Sequence, residues 1–169
     1  MILSNIKLGV DVNIDPSSSI NNIEIGDRVK ISKRCSLFGS SKTPIFIGDD
    51  TYIGMNCILN GYAAQIIIGT NVSFAQNVNV MTDSGPNASI LLQKIFPIQS
   101  GEVRIGDHSW IGASTIIMPN VNIGKLCIIA ANSFVNKSFP DYSIIGGTPA
   151  KLIRKLDKKE INQINCVEP

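Results

Sequence analysis

Apolar positions along this chain recur every six residues. An aliphatic residue followed by glycine opens six segments, at Leu8-Gly9, Ile25-Gly26, Ile47-Gly48, Ile68-Gly69, Ile105-Gly106 and Ile123-Gly124. A large apolar residue follows each opening six and then twelve positions later. The resulting triplets are Leu8/Ile14/Ile20, Ile25/Ile31/Leu37, Ile47/Ile53/Leu59, Ile68/Phe74/Val80, Ile105/Ile111/Ile117 and Ile123/Ile129/Val135. This period is neither that of a helix nor that of an alternating strand. It predicts a coil with three short flat faces, each turning one large side chain inward. Successive coils would stack through parallel-strand hydrogen bonds about 4.8 Å apart.

The position four after each aliphatic residue should point inward near a corner, so it should be small. It holds Val12, Ser18, Val29, Cys35, Thr51, Cys57, Ala63, Val72, Val78, Ser109, Thr115, Val121, Cys127 and Ser133. Glycine after each opening aliphatic suits a corner that a side chain would crowd. Short insertions interrupt the period around residues 39–44 and 62–65. A long one follows Val80, so that residues 81–104 are expected to protrude as a loop. Long excursions from regular scaffolds tend to carry function. Ser89 is placed to cap a short helix there. The apolar stretch 90–95 is expected to pack on a neighbouring subunit. After Val135 the pattern gives way to SFPDYSIIGGTPAKLIRKL and a helix-prone DKKEINQIN, expected to close the open end of the prism.

The length of 169 residues suits one domain, residues 1–169, with coils over 8–135 and a closing segment over 140–169. A net charge of +2 gives no reason to expect nucleic acid or an anionic membrane as partner. The N-terminal residues contain no apolar run of signal-peptide or membrane-span length, so a cytoplasmic location is expected. Cys35, Cys57, Cys127 and Cys166 form no CxxC pair and read as free thiols, three of them as core fillers. No metal is expected to be required.

The repeat, together with IGDHSWIGASTIIMPNVNIG and FVNKSFPDYSIIGGTPAKLIRK, resembles the hexapeptide-repeat acetyltransferases. The galactoside and maltose branch, with its relatives that modify capsule and O-antigen sugars, is the most similar part of that family. The resemblance covers the chain from about Ile47 and is most specific between Ile105 and Lys155. It implies an all-β fold: a left-handed parallel β-helix of about six triangular coils with one protruding loop and a short C-terminal helix. It also implies an acyltransferase of polysaccharide biosynthesis that uses acetyl-CoA as donor and a sugar as acceptor. Such enzymes are homotrimers with active sites between subunits. By this resemblance Ala113 and Ala131 lie beside the pantetheine arm, and Asn136 and Lys137 near the nucleotide end. Lys151 and Arg154 match basic positions that meet the CoA phosphates, as cationic donors suit phosphate.

Acyl transfer to a hydroxyl needs a base. The family's histidine at the start of the loop aligns with Gly85, and residues 81–104 contain no histidine. Three readings stay open. Asp83 could act as base if burial raises its pKa, although TDSGPN also reads as a turn. His108, the only histidine, could act from the same groove, or be an ordinary outward corner residue. With an amino-sugar acceptor, no protein base is needed, because a neutral amine is already nucleophilic. Trp110 is placed to contact the acceptor or to pack on a subunit. Asn56, Ser84 and Gly85 complete the expected acceptor contacts. The acidic acceptor-binding position of the galactoside enzymes falls near Ala63 and Ala64, which argues against a galactoside-like binding mode.

Other solenoid functions fit less well. A serine acetyltransferase would need a helical N-terminal domain, and a β-helical carbonic anhydrase three zinc-binding histidines. An ice-binding solenoid would show threonine arrays. A catalytically inactive CoA-binding or structural β-helix remains as a further alternative.

Overall fold

The computed structural model describes residues 5–166. Three parallel sheets form the sides of a prism. The first face stacks Ile6–Leu8, Ile23–Ile25, Ile45–Ile47, Ile66–Ile68, Val103–Ile105 and Asn122–Ile123. The second stacks Asn13–Ile14, Lys30–Ile31, Tyr52–Ile53, Ser73–Phe74, Trp110–Ile111 and Ile128–Ile129, and the third begins at Ser19–Asn21 and ends at Phe134–Val135. Register follows the sixfold pattern without a slip. Leu8 lies opposite Ile25, Ile25 opposite Ile47, and Ile68 opposite Ile105, which in turn lies opposite Ile123. Phe74 sits between Ile53 and Ile111, and Val80 between Leu59 and Ile117.

Fifteen of these eighteen ladder side chains are almost wholly withdrawn from solvent, within a range of 0–4% exposure. The first coil differs: Leu8 is 52% exposed, and among the described residues no coil stacks above it. The small inward positions are filled as expected from Ser18 through Ser133, with the exception of Ala63. That residue is exposed, because it belongs to the insertion after Ile58–Gly61 rather than to a coil corner. Buried hydroxyls in this column are satisfied by the neighbouring coil: Ser18 Oγ donates to Ser32 O at 2.7 Å, Thr51 Oγ1 to Gly69 O at 3.0 Å and Ser109 Oγ to Gly124 O at 3.0 Å. Among the described residues no buried side-chain polar atom lacks a partner, which a dry core requires. Cys35, Cys57 and Cys127 are buried free thiols and Cys166 is an exposed one.

The corner glycines owe their place to close approach. A β-carbon on Gly106 would lie 2.5 Å from Lys125 N, and one on Gly48 2.6 Å from Gly69 C. The left-handed turn itself falls on non-glycine residues such as Asp50, Asn71 and His108. Aspartates bind the coils at the same edge. Asp27 accepts from Val10 N at 2.7 Å, Asp107 from Thr70 N at 2.8 Å and Asp141 from Lys125 N at 3.0 Å.

The end of the prism is covered differently from the expectation. Ser143–Gly146 adds to the second face in parallel, and Lys151–Lys155 folds back on it antiparallel. The C-terminal helix Lys158–Asn165 buries no residue, so this hairpin, not the helix, covers the last coil on the second face. A capping box starts that helix, with Asp157 accepting from Glu160 N at 2.8 Å and Glu160 from Asp157 N at 2.8 Å. Among the described residues no helix is long and apolar enough to cross a membrane.

Candidate active site

The protruding loop is anchored before it leaves the prism. Thr82 is buried; its Oγ1 donates to Asn60 O at 2.9 Å and its carbonyl accepts from Gly101 N at 2.9 Å. Asp83–Ser84 and Gln99–Ser100 then pair antiparallel, a ribbon the sixfold pattern did not disclose. Asn120 Nδ2 holds Ser100 O at 3.1 Å from the next coil. Within the loop, Ser89 caps a one-turn helix, Ile90–Gln93, by accepting from Leu92 N at 3.2 Å. Ile90, Leu91, Ile95 and Phe96 stand in solvent on this chain. A cleft of about 350 Å³ opens between Ser84, Gly85 and Pro86 on one side and Ile95, Phe96, Pro97 and Gln99 on the other.

Asp83 lies at the mouth of this loop, partly buried, with Asn60 Nδ2 3.4 Å from its Oδ1. Asn60 was not singled out from the sequence, because its contact depends on stacking of coils 23 residues apart. Gly85 packs on Ile98: a β-carbon there would sit 2.8 Å from Ile98 Cα and 3.0 Å from Ile98 Cγ1. Residue 85 therefore admits a side chain only if the backbone at Ile98 shifts.

The other candidates lie on different edges of the prism. His108 is an exposed corner residue between the first and second faces, with its N–H donating to Thr70 O at 2.9 Å. Trp110 points outward on the second face, 54% exposed, between Ser73 and Ile128. Ala113 and Ala131 stack on the edge between the second and third faces, where Asn132 N donates to Ala113 O at 2.8 Å. Asp83 and its loop emerge from the edge between the third and first faces. Hence one chain brings Asp83, Ser84 and Gly85 together but holds His108 apart from them. Asn56 is a left-handed corner residue whose Oδ1 accepts from Arg34 Nε at 2.8 Å, so a structural bond already occupies it.

The closing segment presents an exposed cationic end. Lys137 Nζ lies 5.5 Å from the Phe139 ring centroid, and Asn136 beside it is exposed. Lys151 and Arg154 stand exposed on the terminal hairpin. Arg154 is not free, since it makes bonds of 2.7 and 2.8 Å to the Glu160 carboxylate. That guanidinium, with the Asp157 N–H, holds Glu160 down to about 2.

Comparison with known proteins agrees with this geometry. Residues 102–137 match the family model described as bacterial transferase hexapeptide (six repeats). Galactoside O-acetyltransferase of Lactococcus lactis is 33% identical over 116 residues, 69% of this chain and 55% of that protein. The Escherichia coli galactoside O-acetyltransferase is 32% identical over 69% of this chain and 56% of that protein. A variant of AntD, an N-acyltransferase from Bacillus cereus in complex with dTDP-4-amino-4,6-dideoxyglucose and coenzyme A, superposes with a TM-score of 0.80. It is 28% identical, over 94% of this chain and 88% of that one. The three-sided prism with its loop and closing hairpin therefore defines a hexapeptide-repeat protein, and the chain belongs to that family. Within it, the chain is similar to galactoside O-acetyltransferases and to an N-acyltransferase seen in complex with a nucleotide-linked amino sugar. It spans about half to three fifths of the length of the curated relatives it matches.

Proposed function

We propose that the protein is an acetyl-CoA-dependent acetyltransferase of sugar acceptors. The observation that carries this reading is the combination, on one chain, of a small-residue strip at Ala113 and Ala131 with an exposed cationic end at Lys137 and Lys151. Small side chains leave backbone accessible to an extended pantetheine arm, and the lysines suit its phosphates. The likeness to AntD, a CoA-bound transferase covered almost end to end, supports the same donor.

In the transfer, the acceptor's nucleophile bonds to the thioester carbonyl carbon and the C–S bond breaks. The thiolate of CoA leaves and takes up a proton. For a hydroxyl acceptor, Asp83 at the mouth of the loop is the candidate to remove the proton, oriented by Asn60. A second reading, transfer to the amine of an amino sugar, is favoured by one observation: the histidine position is a glycine packed shut against Ile98. An amine needs only placement and a water to receive its proton. Because Asp83 and the alanine strip lie on different edges, a complete site is best explained by a homotrimer in which edges of neighbouring subunits meet. The exposed residues Ile90, Leu91, Ile95 and Phe96 would then be covered.

The test is incubation with acetyl-CoA and either hydroxyl-bearing or amino-bearing sugars, free and nucleotide-linked, followed by mass spectrometry. Acetylation of any of these supports the reading, and the acceptor modified distinguishes O- from N-transfer. Absence of CoA binding in calorimetry would replace it with a structural β-helix.

A further inference from the structure

We infer that the first three coils carry a separate subsite for the diphosphate and base of a nucleoside diphosphate-linked acceptor. This rests on the reading of the protein as a sugar transferase, and it places the activated end of the acceptor far from the loop.

The outward positions of the second face run in register as Asn13, Lys30, Tyr52, Ser73 and Trp110. Tyr52 is 44% exposed and Trp110 is 54% exposed, two aromatic rings with the small Ser73 between them. Beside Tyr52 lies a cleft of about 310 Å³, lined by Asn13, Asp15, Lys30, Ser32, Lys33 and Tyr52 among others. This is the lower end of the size range of small-molecule sites. The Tyr52 hydroxyl is anchored by Ser32 Oγ at 3.0 Å, which fixes the ring as one wall. A fixed aromatic face is a stacking surface for a planar base.

The charges point to an anion. Lys30 and Lys33 have no carboxylate within salt-bridge distance among the described residues. The one acid in the lining, Asp15, is bound at its own corner, where its Oδ1 accepts from Ser17 N at 3.0 Å and Ser17 Oγ at 2.6 Å, and Lys33 attracts its charge from beyond salt-bridge distance. Two exposed ammonium groups beside an aromatic wall match a diphosphate joined to a base.

The cleft is also aligned with the rest of the machinery. Along the edge between the second and third faces, Lys33, Met55, Gln76, Ala113 and Ala131 stack in order, each but the last accepting an N–H from the following coil. Lys33 is therefore three coil steps from Ala113, about 14 Å at the parallel-strand spacing. A donor arm on the alanines and an anchored diphosphate at Lys33 would leave the reacting sugar between them.

Isothermal titration with dTDP and UDP on the wild-type protein, Lys30→Ala/Lys33→Ala and Tyr52→Ala tests this, with CoA titrated in parallel. The expected result is nucleoside diphosphate binding weakened at least about tenfold in each variant, with CoA affinity unchanged. Inorganic pyrophosphate should respond to the lysine pair but not to Tyr52→Ala. If neither nucleotide binds, or both bind the variants as they bind the wild type, the subsite is overturned while CoA binding leaves the transferase reading standing. Loss of CoA binding in the wild-type protein would instead remove the reading on which the inference rests.

Discussion

Gly85 and Ile98 touch so closely that a β-carbon on the glycine would stand 2.8 Å from the isoleucine's α-carbon. The contact sits just beyond the paired strands Asp83–Ser84 and Gln99–Ser100, and it leaves no room for a β-carbon at residue 85 unless the Ile98 backbone shifts. Gly85→His should therefore not supply a base. The expected outcome is displacement of Ile98 and the Gln99–Ser100 strand, read as faster proteolysis of the loop, with no gain in kcat. A rise in activity with a hydroxyl acceptor would show that the glycine is merely a lost histidine.

Asp83 and His108 lie on different edges of the chain, so their substitutions should separate. With a hydroxyl acceptor, Asp83→Asn is expected to lower kcat by roughly 10²-fold or more, the usual contribution of a general base. His108→Ala should change kcat only a few-fold. With an amine acceptor both effects should be small, so steady-state assays on the two acceptor classes check the base and the nucleophile together.

Phosphate recognition should be read by the lysines of the closing segment. Lys151→Ala and Lys137→Ala are expected to weaken CoA by about tenfold each, the scale of a hydrogen bond to a charged group. Titration of CoA against dephospho-CoA tells which lysine serves the 3′-phosphate. Arg154→Ala should matter less for CoA and more for the terminal helix, because its guanidinium is already held by Glu160.

The helix at the C-terminus should be acid-sensitive. Glu160 titrates at about 2 in the folded protein against an ordinary 4.5, its charged form held by Arg154 and the Asp157 N–H. A group with a depressed folded pKa stabilises the fold above its unfolded value and loses that contribution as pH falls between the two values. The helix should therefore fray as pH drops from about 4.5 toward 2, and Glu160→Gln should remove that dependence. Side-chain NMR of Glu160 during an acid titration measures this directly.

Phe74 occupies the centre of the second-face ladder with no exposed surface, between Ile53 and Ile111. Phe74→Ala should cost about 3–5 kcal/mol in urea unfolding, the range for truncating a buried aromatic. Since each coil contacts mainly its neighbours, the loss should spread through the adjacent coils and leave the terminal hairpin ordered until the global transition.

The prism was legible because its rule is local and repeated. Six triplets at one spacing predict both the inward residues and the register, and the ladder from Leu8 to Ile123 is paired as the spacing requires. Insertions were legible as positions where the rule lapses, but not what they build. Ala63 satisfied the spacing while lying outside a coil, and the Asp83–Ser84 to Gln99–Ser100 ribbon has no period to announce it. Asn60 beside Asp83, and the Lys30, Lys33 and Tyr52 cleft, come from residues remote in sequence that stacking alone brings together.

By itself, then, the sequence determined the repeating backbone, its core, the site of the protruding loop and the cationic closing segment. Each of these follows from burial and spacing along the chain. Tertiary structure alone decided that His108, Asp83 and the Ala113–Ala131 strip occupy three separate edges, and that a hairpin rather than the helix covers the end on the second face. It also decided that Gly85 packs against the Ile98 backbone with no room for a β-carbon. The reason is geometric: which edge a residue occupies depends on its phase around the prism and on the coil stacked against it, and neither is a property of its neighbours in sequence.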